Sequence, residues 1–208
     1  PLGTENLLSR YLHHPRNPEA VADLITSGTP VSLDSCRAGE RLFLLMIGVG
    51  FDAEVVRQLA TNRRGHITRM SYFKPLISTL RSYTYPELRV YCDDGTESPA
   101  DPRAIEPIRT RWLFGMNLPV YALNLPFAPD AHGTDGQLDI CTFDRGSVLN
   151  VARYFFHLCA RHHLQLSDVH LHRCRYVRIE TKSNERVPYQ LDGDPGGFLP
   201  VNVVVEPN

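Results

Sequence analysis

Val187-Pro188-Tyr189-Gln190-Leu191-Asp192-Gly193-Asp194, with Pro200-Val201-Asn202-Val203-Val204-Val205 just beyond it, sets an Asp-Gly turn pair between two apolar runs. Short runs rich in valine and bounded by glycine and proline read as strands. Upstream, Val177 and Ile179 alternate with polar residues, as in a strand with one buried face. Gln137 to Phe143, Arg109 to Gly115 and Leu88 to Cys92 also read as strands. Asp93-Asp94-Gly95 is a hairpin signal joining Leu88–Cys92 to the segment after Gly95. One helix interrupts this half of the chain: Ser147 caps a segment carrying Val151, Tyr154, Phe155 and Leu158.

Further upstream the pattern turns helical. Thr4 can cap a short helix with Leu7, Leu8, Tyr11 and Leu12, ended by Pro15. Asn17-Pro18-Glu19 supplies a cap, a first-turn proline and a first-turn acid for a second helix over Ala20, Val21, Leu24 and Ile25. Val31 and Leu33 begin a strand, and Leu42 to Ile47 reads as one longer strand. Gly48-Val49-Gly50-Phe51-Asp52-Ala53 turns it into a helix holding Val55, Val56 and Leu59, with Asp52 as its cap. Met70 to Ser82 reads as a helix interrupted or kinked at Pro75. Without repeats or low-complexity linkers, the chain is expected to be an α+β, β-rich domain, a sandwich or mixed sheet with a few flanking helices.

Composition narrows the function classes. The 208 residues are 42% hydrophobic and 22% charged, with a formal net charge of -1 and no run of like charges, so no nucleic-acid partner is implied. No apolar stretch reaches the ~20 residues that span a bilayer. Any membrane contact is therefore peripheral. Cys36, Cys92, Cys141, Cys159 and Cys174 are scattered and odd in number, which suits free thiols in a reducing compartment. The chain opens at Pro1 inside what looks like a motif, and a fragment of a longer protein is expected.

Four segments then carry a resemblance. Pro1-Leu2-Gly3-Thr4-Glu5-Asn6 is similar to the "PxGTxN" segment of the diacylglycerol kinase-like superfamily, which includes bacterial lipid kinases and sphingosine kinases. Gly48 to Ala53 resembles its "GxGxDA" segment. Asn117, Ala128-Pro129-Asp130-Ala131 and Asp135-Gly136-Gln137-Leu138-Asp139 resemble its "N…aPxAxxxDGxLD" stretch. Leu191-Asp192-Gly193-Asp194, Pro200 and Val203-Val204-Val205 resemble its "DGE…P…v" ending. Their order and separations span nearly the whole chain.

The resemblance implies a two-domain fold shared with NAD kinases. An N-terminal domain would carry the "GGDGT" loop for ATP, and residues 1–208 would be the C-terminal β-sandwich-type domain, with 1–28 a helical junction between them. It implies ATP and Mg²⁺ as cofactors and a diacylglycerol-like or sphingoid lipid as substrate. It also implies a cytoplasmic setting, peripheral at a membrane, and a fragment inactive by itself. A homodimer paired through edge strands is compatible with the pattern.

Asp192 stands where the family places its base, since phosphoryl transfer to an alcohol needs a group that takes the hydroxyl proton. A plain Asp-Gly turn explains the same residues without chemistry. Asp194 replaces a Glu and is one methylene shorter; with Thr4 and Asn6 it is expected toward the nucleotide. Glu5 and Leu7 depart from the family's Gly and Asp. Asp135 and Asp139 match an acidic pair that helps hold magnesium in some relatives, hard oxygen donors being suited to that ion. Thr134 stands where many relatives carry another Asp. By alternation Asp139 reads as exposed if the segment is only a turn before a strand.

Other features read more plainly. His157, His162, His163, His170 and His172 do not converge with zinc-ligand spacing and read as solvated faces. Arg63, Arg64 and Arg69 form a small basic group suited to anionic headgroups or to simple solvation. Tyr72, Phe73 and Trp112 read as packing. A catalytically silent relative that binds lipid or regulates a partner is the alternative to an active kinase.

Overall fold

A computed structural model describes residues 5–61, 69–95, 101–119, 121–182 and 185–208; the side chains of Arg69 and Pro102 are also outside the description. Thr4, Arg63 and Arg64 therefore lie outside the described residues. In chain order the N-terminal elements are α1 (Leu7–Tyr11), α2 (Pro18–Ser27), β1 (Ser35–Ala38), β2 (Arg41–Phe43), β3 (Met46–Val49), α3 (Phe51–Thr61) and α4 (Phe73–Ser82). The middle is β4 (Leu88–Asp93), β5 (Ile108–Thr110), β6 (Trp112–Met116), β7 (Leu138–Phe143) and α5 (Val148–Cys159). The end is β8 (Val169–Cys174), β9 (Tyr176–Thr181), β10 (Pro188–Leu191), β11 (Asp194–Phe198) and β12 (Val201–Glu206).

Burial sorts these strands into layers. Every residue of β3, β6 and β7 is buried, as expected of strands covered on both faces, whereas β12 alternates between buried and open positions. The fully buried strands belong to a six-stranded sheet ordered β11-β10-β3-β6-β7-β8; the alternating ones belong to a second, ordered β2-β1-β12-β9-β4-β5. All pairings are antiparallel, so the sandwich expectation holds and the mixed sheet does not.

Between the sheets lies one core, with Ile47, Val49, Leu113 and Ile140 facing Val90, Ile179, Val203 and Val205. On the other face of the first sheet, a second core gathers Phe51, Trp112, Phe114, Phe127, Phe143 and Tyr154 under the helices. Trp112 and Phe143 stack there with ring centroids 4.3 Å apart. Each such side chain contributes about 1.5–3 kcal/mol by leaving water.

Two runs expected to be single strands are broken between the sheets. Leu42–Ile47 divides into β2 in one sheet and β3 in the other, and Arg109–Gly115 divides into β5 and β6 at Arg111. At the second corner, buried Thr110 Oγ1 exchanges hydrogen bonds with the backbone N–H and C=O of Phe143, at 3.0 and 2.8 Å. At the first corner the crossing residues are Leu44 and Leu45, and at the second the Arg111 guanidinium donates to Tyr85 O at 3.1 Å.

Other expectations shift locally. Strand β1 begins at Ser35 rather than Val31. Pro75 does not kink a helix: it is the third residue of α4, where its missing N–H would have no intrahelical partner, and the 3-10 turn Arg69–Tyr72 precedes it. Strand β4 pairs with β9 on one side and on the other with β5, which begins at Ile108; residues 96–100 lie outside the description. The glycine-rich Asp194–Phe198 is a strand that the apolar pattern does not reveal. A Cβ on Gly196 would stand 2.3 Å from Tyr189 ring carbons, so the glycine lets that ring lie across β11.

Candidate functional site

The Asp-Gly pair is the tip of the β10–β11 hairpin, with Leu191 opposite Asp194. Asp192 (φ 52°) and Gly193 (φ 92°) both take positive φ, as the favoured two-residue hairpin turn requires. Aspartate tolerates that region better than most residues.

The carboxylate of Asp192 reaches the β2–β3 corner. Its Oδ2 accepts the N–H of Leu44 at 2.8 Å, and its Oδ1 accepts those of Leu45 and Met46, each at 2.9 Å. The backbone N–H of Asp192 donates to Met46 O at 3.0 Å. Asn117 completes the corner from the other side, donating through Nδ2 to Leu44 O (2.8 Å) and Asp34 O (2.9 Å). Two of the family-like segments thus converge on one strand crossing, though they lie 73 and up to 148 residues away from it along the chain.

A second acid lies beside this turn. Asp52 sits within the first turn of α3 and does not cap it, contrary to expectation. Its Oδ1 accepts the hydroxyl of Tyr121 at 2.7 Å, and its Oδ2 accepts Gln190 Nε2 at 3.1 Å. Gln190 Oε1 in turn accepts the N–H of Gly193 at 2.8 Å, tying Asp52 to the hairpin tip. Burial pushes the Asp52 carboxyl up to about 6, against the opposing pull of its bonds to Tyr121 and Gln190.

Gly48 explains part of its motif. A Cβ there would lie 2.7 Å from both Asp52 Oδ2 and Gln190 Nε2, so only glycine leaves room for that pair. Gly50, at φ 94°, makes the turn into α3.

Tyr72 lies within electrostatic reach of both the N-terminal segment and the turn. Burial raises its phenol, and the charges of Asp52, Asp194 and Glu5 raise it further. Of the residues expected from sequence, Asp192, Asp194 and the Glu5–Asn6 segment therefore gather in one region. Asn6 takes φ 49° before α1 without a side-chain capping bond. A groove of about 670 Å³ beside it is lined by Glu5, Asn6, Arg10, His13 and Arg16 among others. A second groove, of about 530 Å³, lies across the outer sheet near Arg37, Tyr91 and Asn202, away from this turn. Gln190, Tyr121 and Tyr72 carry no motif that marks them as site residues; the one signal in the sequence is a glutamine in an otherwise apolar strand.

Asp135 and Asp139 belong to a different corner. Asp135 accepts the N–H of Gln137 at 3.0 Å and pairs with Arg173, whose Nε also stands 3.3 Å from Asp139 Oδ1. Asp139 is buried, not exposed, and burial is the main cause that raises its carboxyl above the ordinary range. Its Oδ2 has no hydrogen-bond partner in this arrangement. The Arg173 guanidinium bridges the two acids as a cation would, so the pair as arranged does not fit magnesium, which needs open oxygen ligands and bound waters.

The histidines are not all solvated. His163 lies beyond α5, is buried, and its Nε2 is 3.1 Å from Phe127 O; burial lowers its pKa. His170 pairs with Asp144 at 3.1 Å. Among the described residues, no group of three or more His, Cys, Asp or Glu side chains is arranged to hold a metal ion.

This double sheet, helix-covered on one side and gripping an Asp-Gly hairpin tip at a strand crossing, has a recognisable family. Residues 45–208 match the YegS C-terminal NAD kinase beta sandwich-like domain, and the chain belongs to that family. It is 27% identical over 213 residues to a diacylglycerol kinase of Mycobacterium tuberculosis (strain ATCC 25618 / H37Rv), covering 100% of this chain and 65% of that protein. It is 22% identical to a diacylglycerol kinase of Staphylococcus carnosus (strain TM300), covering 97% of this chain and 62% of the other. A solved structure of a putative diacylglycerol kinase from Bacillus anthracis str. Sterne shares the fold at TM-score 0.66 and 21% identity, over 100% of this chain and 65% of that one. The chain thus spans less than two thirds of the relatives it matches.

Proposed function

We propose that this chain is the substrate-side domain of an ATP-dependent lipid kinase, with Asp192 the base that takes the proton of the lipid hydroxyl. The observation that carries the proposal is the state of its carboxylate. A carboxylate offers about four lone-pair sites. Two bonds occupy Oδ1 and one occupies Oδ2, which leaves Oδ2 a free position on an exposed, rigidly oriented side chain.

As the hydroxyl oxygen attacks phosphorus, its proton passes to Asp192 Oδ2. The Leu44, Leu45 and Met46 N–H groups hold the carboxylate in place, and the Asp52–Gln190 pair holds the turn. ATP with Mg²⁺ supplies the γ-phosphoryl group in this reading. The nucleotide is held mainly by a region matching the remaining third of the relatives' length, with Asn6 and Asp194 on the near side of the cleft. Residues 1–28 form the junction, in keeping with α1 and α2 burying no residue of their own. Asp135 and Asp139 hold Arg173 in this account, and no step passes through a metal at that corner.

The proposed substrate is a diacylglycerol-like or sphingoid lipid. The proposed setting is the cytoplasm, peripheral at a membrane, with edge strands β5 and β8 able to pair two copies. Among the described residues, no helix is long and apolar enough to cross a membrane. A second reading follows from the same clamp: three backbone bonds give Asp192 a structural role that would persist in a silent, lipid-binding relative. Lipid phosphorylation by the full-length protein and its Asp192→Asn variant separates them. Activity that falls at least about a hundredfold in a folded variant supports the base. Equal activity removes it, and inactivity of both proteins favours the silent relative. The fragment of residues 1–208 is expected to be inactive with Mg-ATP.

A further inference from the structure

Helix α5 is apolar on two opposite sides. Inward, Tyr154 and Leu158 are buried in the helix-side core. Outward, Leu149 is 83% exposed, Phe156 70%, Val148 48% and Phe155 47%. Leu149 and Phe156 are seven residues apart and stack along one line, with Val148 and Phe155 forming the neighbouring line. A helix apolar all round is ordinarily buried. Clustered large side chains of this kind mark a contact surface rather than the scattered exposure normal for a protein.

Basic residues outnumber acids around this face, where Asp144 pairs with His170 and Asp168 is the other nearby acid. From Arg145 through Gln165 the chain contains Arg145, Arg153 and Arg161 and no acid. Arg153 lies four residues after Leu149 and three before Phe156, so it borders the apolar line. Arg145 and Arg153 both pair with the single carboxylate of Asp168, which leaves positive charge in surplus. Arg161 is exposed just past the end of the helix.

We propose that the outer face of α5 docks on an anionic phospholipid surface. Leu149, Phe155 and Phe156 enter below the headgroups, and the arginines lie at the level of the phosphates, the arrangement of an interfacial amphipathic helix. A second copy of the chain suits the face less well. A two-fold interface sets the same patch against itself, and here it would oppose arginine to arginine. The proposal deepens the lipid-kinase reading by naming the surface that meets the membrane. It is tested without catalysis, so either can fail alone.

The test is co-sedimentation of the full-length protein with phosphatidylcholine vesicles, with and without phosphatidylglycerol. Its oligomeric state is measured in parallel by ultracentrifugation, and its folding by thermal melting. The wild type is expected to bind the anionic vesicles. Leu149→Ser with Phe156→Ser should weaken that binding by about tenfold or more, which corresponds to about 1.4 kcal/mol per decade. Arg161→Glu should weaken it only on anionic vesicles, and Val31→Ser, at an exposed site outside α5 and the junction, should leave it unchanged. A wild type that does not bind overturns the proposal. So does unchanged binding by the double variant, or a double variant that turns a dimer into a monomer while its vesicle binding is intact.

Discussion

Replacing Asp192 with alanine removes the acceptor of three backbone N–H groups at once, and the cost can be worked bond by bond. The Met46 N–H opens a fully buried strand, so its bond to a carboxylate contributes about 1.5–3 kcal/mol. The Leu44 and Leu45 N–H groups are nearer solvent, and water can take over part of their bonding, leaving about 0.5–1 kcal/mol each. Alanine at φ 52° adds about 1 kcal/mol, because its Cβ crowds the carbonyl in that region. The total is about 3.5–6 kcal/mol, a large share of the 5–15 kcal/mol that holds a typical domain together.

Asp192→Asn separates the bonding from the backbone effect. Asparagine tolerates positive φ, and its oxygen can keep Leu45 and Met46, but its amide meets the Leu44 N–H donor to donor. A loss of about 1–2 kcal/mol follows. Urea unfolding of the three proteins should give midpoints in the order wild type, Asn, Ala, with a common slope. An alanine variant within about 0.5 kcal/mol of the wild type would refute the reasoning, since water would then satisfy the corner unaided.

Two further outcomes follow from the same region. The Asp52 carboxyl is raised to about 6 in the fold, above the ~3.9 of an unfolded chain, so the folded state binds the extra proton between those values. Its contribution is complete below about pH 4 and is lost as pH rises toward 6, by roughly 3 kcal/mol. Asp52→Asn should flatten that part of the urea-midpoint profile, and an unaltered slope would show that Asp52 does not titrate as described. Gly48→Ala should destabilise by about 1–3 kcal/mol, because the added carbon separates Asp52 from Gln190. Gly193→Ala, with nothing within 4 Å of its Cβ, should cost only about 1 kcal/mol, from its backbone alone. Equal losses in the two variants would contradict the steric account of Gly48.

What the sequence made legible were the features governed by near neighbours. The Asn17 cap of α2, with Asp-like bonding of its Oδ1 to the Glu19 N–H, and the Ser147 cap of α5 lie beside the residues they bind. The alternation of Val177 and Ile179 reports a sheet face directly. The crossing at Leu44–Leu45 was illegible because no turn residue marks it; its backbone groups are satisfied by Asp192 and Asn117, both distant in the chain. Asp139 looked exposed because alternation assumes one open face, and β7 is covered on both. The Asp52–Gln190–Gly193 connection joins residues that look unremarkable alone, and only Gly48 and a glutamine in an otherwise apolar strand hint at it.

The central claim concerns Asp192 as a base on an oriented turn. Lipid phosphorylation by the full-length protein with Mg-ATP tests it most directly, comparing wild type with Asp192→Asn at a temperature where urea unfolding shows both to be folded. The account predicts a loss of at least about a hundredfold in kcat. A folded variant that phosphorylates lipid at the wild-type rate would contradict it.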